Sequence, residues 1–182
     1  MRVITGTARG RRLMALEGDD VRPTTDRVKE AMFSIIQFEL EGRRILDLFA
    51  GSGQLGIEAL SRGAHCATFV DQSRESVGVI EKNLLSTGLE KNTIVKNSDA
   101  AAFLSITKDV FDIAFLDPPY NLGLVQKALP MLCEKMAKGG VILCETPLNE
   151  ELPESVGKFS LHRDYKHGKI KLTVYREEQV SE

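Results

Sequence analysis

Cysteine is scarce in this 182-residue sequence, and its spacing excludes two kinds of small stabilised domain. The three cysteines, Cys66, Cys133 and Cys144, are an odd number, and no two of them form a C-x-x-C motif. The sequence therefore predicts neither a disulfide framework nor a zinc site, and we expect no bound metal. All three cysteines are expected to pack as small buried hydrophobic residues.

Long apolar runs, internal repeats and low-complexity segments are absent as well. The first residues carry no apolar core of a signal peptide, and no stretch approaches the ~18 apolar residues of a membrane span. Hydrophobic residues make up 42% and charged residues 27% of the chain, which is typical of a soluble protein. We therefore expect a cytoplasmic protein without membrane contact, folded as one domain over residues 1–182. A monomer is compatible with these features.

The net charge is close to zero, but the charges are unevenly distributed. The formal charge of −2 argues against indiscriminate binding to nucleic acid, yet residues 1–14 hold four arginines and no acid. A basic segment on a near-neutral body favours contact with phosphate through one face, although a solvated, charged hairpin explains the pattern equally well. The candidate RNA-binding residues are Arg9, Arg11 and Arg12 in this segment, and Arg22 and Arg27 beyond it.

The first 40 residues are predicted to form an extension made of a hairpin and a helix. Residues 2–5 and 12–15 flank a turn that contains glycine, which predicts a small β-hairpin. Thr24 or Thr25 can cap a helix, and Asp26 suits the positive end of its dipole. Apolar residues then recur at helical spacing, so the helix is predicted to run to about Phe38.

From about residue 41 onward, strand and helix patterns alternate, which indicates a parallel sheet with helices on both faces. The predicted strands are residues 45–49, 67–71, 93–96, 111–116 and 141–144. The predicted helices are residues 54–62, 73–88, a segment that begins near residues 99–100, and 123–138, which Pro130 should kink or split. Residues 158–163 and 169–176 are predicted to form an antiparallel hairpin.

The motif Asp117-Pro118-Pro119-Tyr120 directly follows the strand predicted at residues 111–116. Two prolines cannot extend a strand, so a carboxylate, a stiff turn and an aromatic ring remain at its carboxyl end, where open α/β sheets bind ligands. Asp117 and the Pro118 carbonyl can accept the two hydrogens of an exocyclic amine, and Tyr120 can stack on the ring that carries it. The structural alternative is a strand that ends in a proline turn, with Tyr120 in the core.

A second motif, Gly-Ser-Gly-Gln-Leu-Gly at residues 51–56, follows the first predicted strand. With Asp71 lying 20 residues after its first glycine, it meets the G-x-G-x-x-G pattern of dinucleotide-binding enzymes. However, Asp47 in the first strand would repel a pyrophosphate, and Asp99 and Asp117 add acids at the ends of later strands. Four such acids suit S-adenosylmethionine, which carries a sulfonium and an ammonium.

The two motifs also resemble those of a known family. Residues 47–53, Asp-Leu-Phe-Ala-Gly-Ser-Gly, together with residues 117–120 resemble class I S-adenosylmethionine-dependent amino-methyltransferases. Residues 2–10 and 22–33 are similar to the leading segments of bacterial 16S rRNA (guanine-N2)-methyltransferases of the RsmD type. The resemblance covers essentially the whole chain.

This resemblance implies an α/β, Rossmann-like fold with a mostly parallel sheet of seven strands ending in an antiparallel hairpin. Residues 1–40 would form the basic hairpin and helix extension, and residues 41–182 the catalytic sheet. It implies S-adenosylmethionine as cofactor and methyl transfer to guanine N2, in 16S rRNA or an assembling small ribosomal subunit. The implied cofactor-binding residues are Asp47, Phe49, Gly51 and Gly53 for the methionine part, Asp71 and Gln72 near the ribose, and Asp99 and Ala100 for the adenine. The implied catalytic residues are Asp117, Pro118 and Tyr120.

Two alternatives remain open. The D-P-P-Y motif also serves DNA adenine-N6 and protein glutamine methyltransferases, although a catalytic sheet of about 140 residues leaves no separate sequence-reading domain for DNA. The glycine motif alone would suit a NAD-dependent oxidoreductase or a nucleotide-binding module without catalysis.

Overall fold

The structure, a computed structural model, describes residues 1–16, 25–120 and 122–177. The helices in these ranges are α1 (Asp26–Ile35), α2 (Gln54–Ser61), α3 (Arg74–Thr87), α4 (Ala100–Ile106) and α5 (Leu124–Cys133). The strands are β1 (Arg44–Leu48), β2 (Cys66–Asp71), β3 (Thr93–Asn97), β4 (Phe111–Leu116), β5 (Met136–Pro147), β6 (Ser155–Val156), β7 (Phe159–His167) and β8 (Ile170–Glu177). None of the described helices is long and apolar enough to cross a membrane.

All of these strands belong to one sheet, in the order β3-β2-β1-β4-β5-β8-β7-β6. The pairs from β3 to β5 are parallel, and those from β5 to β6 are antiparallel. The prediction of a mostly parallel α/β sheet that ends in an antiparallel hairpin is thus confirmed, and the two-residue edge strand β6 is added to the seven expected strands. The strand order reverses between β1 and β4, which opens a crevice at their carboxyl ends.

Side chains of the parallel strands alternate between two hydrophobic cores. Ile45, Phe69 and Phe115 face α1, α2 and α3, while Leu46 and Leu116 belong to the core under α4 and α5. This alternation follows from the pleat of a strand, and burial on both faces is typical of a parallel sheet. The predicted helices on both faces are therefore confirmed.

The helix boundaries differ from the prediction in two places. Thr25 caps α1 by accepting a hydrogen bond from the Val28 N–H, as predicted, but the helix ends at Ile35 and leaves Phe38 exposed. The fifth helix contains Pro130 without being split, and it stops at Cys133 instead of residue 138. Residues 136–138 join β5 because that strand begins by pairing Met136 with Phe111 of β4.

The N-terminal hairpin is present but forms no regular strands. A single antiparallel bridge joins Arg2 to Arg12, supported by the Val3 N–H donating to the Arg11 carbonyl at 2.9 Å. The segment instead packs on α2, where the backbone passes so close that a Cβ on Gly6 would lie 1.8 Å from the Ser61 carbonyl oxygen. Only glycine fits at that position, which also has a φ of +88°.

A buried ion pair between α1 and α2 fixes this segment to the two helices. Lys29 and Glu58 are fully buried, with 3.7 Å between Lys29 Nζ and Glu58 Oε2. The Glu58 carboxylate accepts hydrogen bonds from the backbone N–H groups of Ile4 and Thr5 at 2.8 and 2.9 Å. Lys29 Nζ donates to the Arg2 carbonyl at 2.6 Å. The N-terminal segment is therefore part of the rigid body, because the pair would be left uncompensated without it.

The cysteines follow the prediction only in part. Cys133 and Cys144 are buried and Cys66 is half-buried, since it opens the strand β2; all three are free thiols. Burial raises the pKa of the Cys133 thiol to about 11, so that thiol stays protonated at neutral pH.

Candidate functional site

The loop after β1 forms the floor of the crevice. Phe49 has a φ of +71°, a left-handed conformation that is rare for a residue with a large side chain and is costly outside functional loops. The N–H groups of Phe49 and Ala50 both donate to the Val70 carbonyl, at 3.1 and 3.0 Å, which holds the turn against β2. A Cβ on Gly56 would lie 2.3 Å from the Phe69 ring, so this glycine lets α2 pack closely on the sheet.

Two aspartates at neighbouring strand ends are oriented by backbone hydrogen bonds. The Asp71 carboxylate accepts from the N–H of Gly51 at 2.8 Å and from the N–H of Ser73 at 2.9 Å. Asp99 was predicted to close β3, and this is wrong because the strand ends at Asn97. Instead Asp99 caps α4, and its Oδ1 accepts from the N–H groups at positions 101 and 102.

The D-P-P-Y turn leaves β4 as predicted. Asp117 is half-buried and Pro118 is buried directly after the last strand residue. Tyr120 is half-buried, packs against the core under α1, and donates its hydroxyl hydrogen to Glu145 Oε1 at 2.5 Å. The Tyr120 ring is therefore held in a defined orientation at the end of the central strands.

A cavity of about 360 Å³ brings most of the predicted site together. The predicted residues that line it are Phe49, Gly51, Asp71, Gln72, Asp99, Ala100, Asp117, Pro118 and Tyr120. The glycine-motif side and the D-P-P-Y side of the crevice thus face one space. Binding of a cofactor by these residues stays a prediction.

Asp47 and Gly53 do not line this cavity. Asp47 is 1% exposed and lies beneath the first turn of α2, where its Oδ2 accepts from the Gly56 N–H at 2.9 Å. Burial raises the pKa of Asp47 to about 7, and the nearby charge of Asp71 adds to the rise, while the bond from Gly56 opposes it. Gly53 packs against Ile80 and Phe69, so its predicted contact with a ligand is not visible in the cavity lining.

A second cavity, of about 470 Å³, lies on the other side of Tyr120. The start of α1, including Arg27, forms one wall, and residues 166–170 at the β7–β8 turn form another. Tyr120 and Glu145 contribute to the same cavity. Arg27 thus lies near the predicted catalytic turn, whereas Arg22 lies outside the described residues.

The predicted RNA-binding arginines of the N-terminal segment lie elsewhere. Arg9, Arg11 and Arg12 are all exposed, and none of them lines either cavity. Their exposed side chains lie on the surface of the N-terminal segment, where a polyanion can contact them.

Sequence reasoning missed several residues of the site, Glu145 and Leu16 among them. Glu145 ends the apolar run of β5 as Asp117 ends that of β4, and this shared pattern could have identified it. Leu16 also lines the first cavity, and no sequence signal marks it. Asn83 of α3 explains its position: the side chain bonds both main-chain groups of Met14 and donates to the Ser52 carbonyl at 2.9 Å, joining the N-terminal segment to the glycine loop.

Known proteins are similar to this chain in sequence. The family described as Conserved hypothetical protein 95 matches residues 1–176. The chain belongs to this family. A relative from Escherichia coli strain K12, named ribosomal RNA small subunit methyltransferase D, is 36% identical over 184 residues, covering 100% of this chain and 92% of that protein. The resemblance to the RsmD type that the leading segments predicted is thereby confirmed.

Solved structures agree with the fold. The structure of yhhF from Escherichia coli is 36% identical, has a TM-score of 0.87, and covers 98% of each chain. A more distant structure, SMU.776 solved in complex with SAH, has a TM-score of 0.69 at 15% identity and covers 81% of this chain and 48% of that one. At that identity the likeness shows the fold alone, which is the Rossmann-like fold of methyltransferases.

Proposed function

We propose that this protein transfers a methyl group from S-adenosylmethionine to the exocyclic N2 amine of a guanine in small-subunit rRNA. The observation that carries the proposal is the first cavity, in which Asp71 and Asp99 share one space with Asp117 and Tyr120. Its wider support is the family, whose relative in Escherichia coli is named a ribosomal RNA small subunit methyltransferase.

The chemistry of the cavity lining fits S-adenosylmethionine. Among the described lining residues no side chain is basic, whereas Asp71, Glu75, Asp99 and Asp117 are carboxylates. Such a lining attracts a ligand with a sulfonium and an ammonium and repels a pyrophosphate. When bound, S-adenosylmethionine supplies an electrophilic methyl group.

Individual residues of the chain would hold the cofactor by their remaining acceptor capacity. Asp71, fixed by the N–H groups of Gly51 and Ser73, accepts the ribose hydroxyls with its other lone pairs. Asp99 uses Oδ1 as a helix cap, which directs Oδ2 to an adenine amine beside Ala100. Asp47 contributes through the bond that positions the first turn of α2.

The D-P-P-Y turn would activate the amine of the target base. An exocyclic amine of guanine is a weak nucleophile because its lone pair is delocalised into the ring. Asp117 and the Pro118 carbonyl accept its two hydrogens, which turns the lone pair out of conjugation and toward the methyl group. As the N–C bond forms and the C–S bond breaks, with S-adenosylhomocysteine as the leaving group, the nitrogen would become positive and Asp117 would stabilise the charge until one proton is lost to water. Tyr120 would stack on the base, which must leave its own stack to reach the site.

Two measurements test the proposal. Calorimetry should detect binding of S-adenosylmethionine and a much weaker interaction with NAD. With radiolabelled S-adenosylmethionine, label should pass to small-subunit rRNA or to its assembly particle, and not to large-subunit rRNA or DNA. Tighter binding of NAD would exclude the methyltransferase chemistry, and label in DNA alone would favour the DNA adenine-N6 alternative.

A further inference from the structure

Glu145 lies beside the D-P-P-Y turn and has no role in the proposed reaction. In the parallel pairing of β4 with β5, Leu116 and Cys144 are the last partners, so Asp117 and Glu145 each come one residue after that pair on neighbouring strands. Paired strands lie about 4.8 Å apart, which places the two acids side by side. Cys144 belongs to the core under α4 and α5, so Glu145 faces the opposite side, where the second cavity lies.

Glu145 is a buried acid at the inner end of a cavity whose outer residues are basic. It is 5% exposed, and its Oε1 accepts the Tyr120 hydroxyl hydrogen at 2.5 Å. A carboxylate has about four acceptor positions, and the Tyr120 hydroxyl uses one of those of Glu145. Arg27, Lys166 and Lys169 line the same cavity and are exposed. An inner acceptor with outer cations matches a nucleotide whose base offers donors and whose phosphates face outward.

We propose that Glu145 selects guanine, by accepting hydrogen bonds from the Watson–Crick edge of the target base in the second cavity. Guanine is the base that presents two adjacent donors, N1–H and the N2 amine, on that edge, whereas adenine, cytosine and uracil place acceptors beside their donors. With N1–H at Glu145, the N2 amine points to the neighbouring strand end, where Asp117 lies. Lys166 and Lys169 then hold the flanking phosphates. This assignment rests on the proposed methylation of guanine.

The test replaces the target guanine by 2-aminopurine, which keeps the reacting amine but has an acceptor at N1 in place of N1–H. The methylated position is first located by sequencing the labelled rRNA fragment, and the substrate is then rebuilt with either base at that position. The wild-type protein should prefer guanine by about 10- to 100-fold in kcat/KM, the scale of one good bidentate contact to a base. In Glu145→Gln the new amide can donate to N1 of 2-aminopurine, so the preference should fall to about one or invert.

Tyr120→Phe is the matched control. It removes the hydrogen bond from the Tyr120 hydroxyl to Glu145 but leaves the carboxylate of Glu145 in place, whereas Glu145→Gln keeps an oxygen that can accept this bond. If Glu145 only orients Tyr120, neither variant changes the rate of one substrate relative to the other, and a preference that stays at the wild-type value overturns the proposal. If Glu145 reads the base, Tyr120→Phe keeps the preference and Glu145→Gln loses it.

Two further outcomes distinguish a failure of this inference from a failure of the proposed function. Where Glu145→Gln is inactive on both substrates, equilibrium binding of the two RNAs to that variant decides, and an unchanged ratio of affinities overturns the proposal. Where the wild-type protein methylates no guanine at all, the proposed function fails and this inference fails with it. If guanine is methylated and Glu145→Gln keeps the wild-type preference for guanine over 2-aminopurine, this inference fails and the proposed function stands.

Discussion

The two cavities on either side of Tyr120 carry opposite charge. Acids at or just after the ends of β2, β3 and β4, together with Glu75 of α3, line the first, with no basic side chain among its described residues. Exposed basic residues, Arg27, Lys166 and Lys169, line the second, which has Glu145 as its acid. One cavity therefore suits a cationic small molecule and the other a polyanion. The contrast indicates that the two reactants approach from different sides and meet at the D-P-P-Y turn.

The largest effect is expected where the two cavities meet. Asp117→Ala should lower the single-turnover rate of methyl transfer by about 10²- to 10³-fold, because an aligned acceptor is lost where charge develops. Calorimetry should still show binding of S-adenosylmethionine, with a loss of affinity far smaller than the loss of rate, since Asp117 is one of four lining acids and is assigned to the target amine. Asp117→Asn keeps an acceptor oxygen and should retain more activity than the alanine variant. Turnover at the wild-type rate in Asp117→Ala would reduce D-P-P-Y to a structural turn.

A second effect concerns the acid behind the first cavity. The folded-state pKa of Asp47 is raised to about 7 from an ordinary value near 3.8, so the folded protein binds this proton more tightly than the unfolded chain. The contribution of Asp47 to stability is therefore greatest at low pH and is lost as the pH rises toward 7.

Asparagine at position 47 cannot titrate, so the Asp47→Asn variant should not lose this stability as the pH rises. Between pH 5 and pH 8, the free energy of unfolding of the wild-type protein should fall relative to that of the variant, by at most about 3 kcal/mol. Urea unfolding without cofactor at the two pH values measures the difference. A constant difference would mean that Asp47 does not titrate between these two pH values in the folded protein, which would contradict a pKa near 7.

A smaller effect is expected from the exposed arginines of the N-terminal segment. Replacing Arg9, Arg11 and Arg12 by alanine should weaken rRNA binding and flatten the plot of log affinity against log salt concentration. Each lost phosphate contact contributes about 0.7 to 0.9 to that slope. The triple replacement of Lys82, Lys91 and Lys108, which are exposed elsewhere, removes the same charge and is the matched control. Equal slopes in both triple variants would favour the solvated hairpin.

The smallest effect isolates the basic side of the second cavity. Lys166→Ala with Lys169→Ala should reduce the same slope by about 1.4 to 1.8, because two contacts are lost. Calorimetry with S-adenosylmethionine should be unaffected, since neither lysine lines the first cavity. A loss of cofactor affinity in this double variant would contradict the division of charge between the two cavities.

Hydrophobic periodicity and the positions of glycine and proline were enough to predict the parallel sheet and its antiparallel hairpin. Two prolines had to end β4 at Leu116, and Gly88 had to close α3, so these boundaries follow from local chemistry. The start of β5 could not be predicted in this way, because residues 136–138 become a strand only by pairing with β4. Long-range pairing overrode a helical pattern there.

The candidate site shows the same division between local and long-range information. Asp71, Asp99 and Asp117 were found because each follows a recognisable strand and parallel strands end at one edge of the sheet. The burial of Asp47 could not be predicted, since the sequence does not show that α2 covers its side chain. Leu16 depends on Asn83, 67 residues later in the chain, and a contact of that kind leaves no local pattern.

The central claim is methylation of a guanine amine, and the identity of the methylated nucleoside tests it most directly. Small-subunit rRNA from cells that lack the protein is incubated with the purified protein and S-adenosylmethionine carrying a deuterated methyl group, then digested to nucleosides for mass spectrometry. The account predicts the deuterated methyl group in N2-methylguanosine, and its absence when Asp117→Ala replaces the wild-type protein. Deuterium in N6-methyladenosine, or in no nucleoside of that RNA or of its assembly particle, would contradict the account.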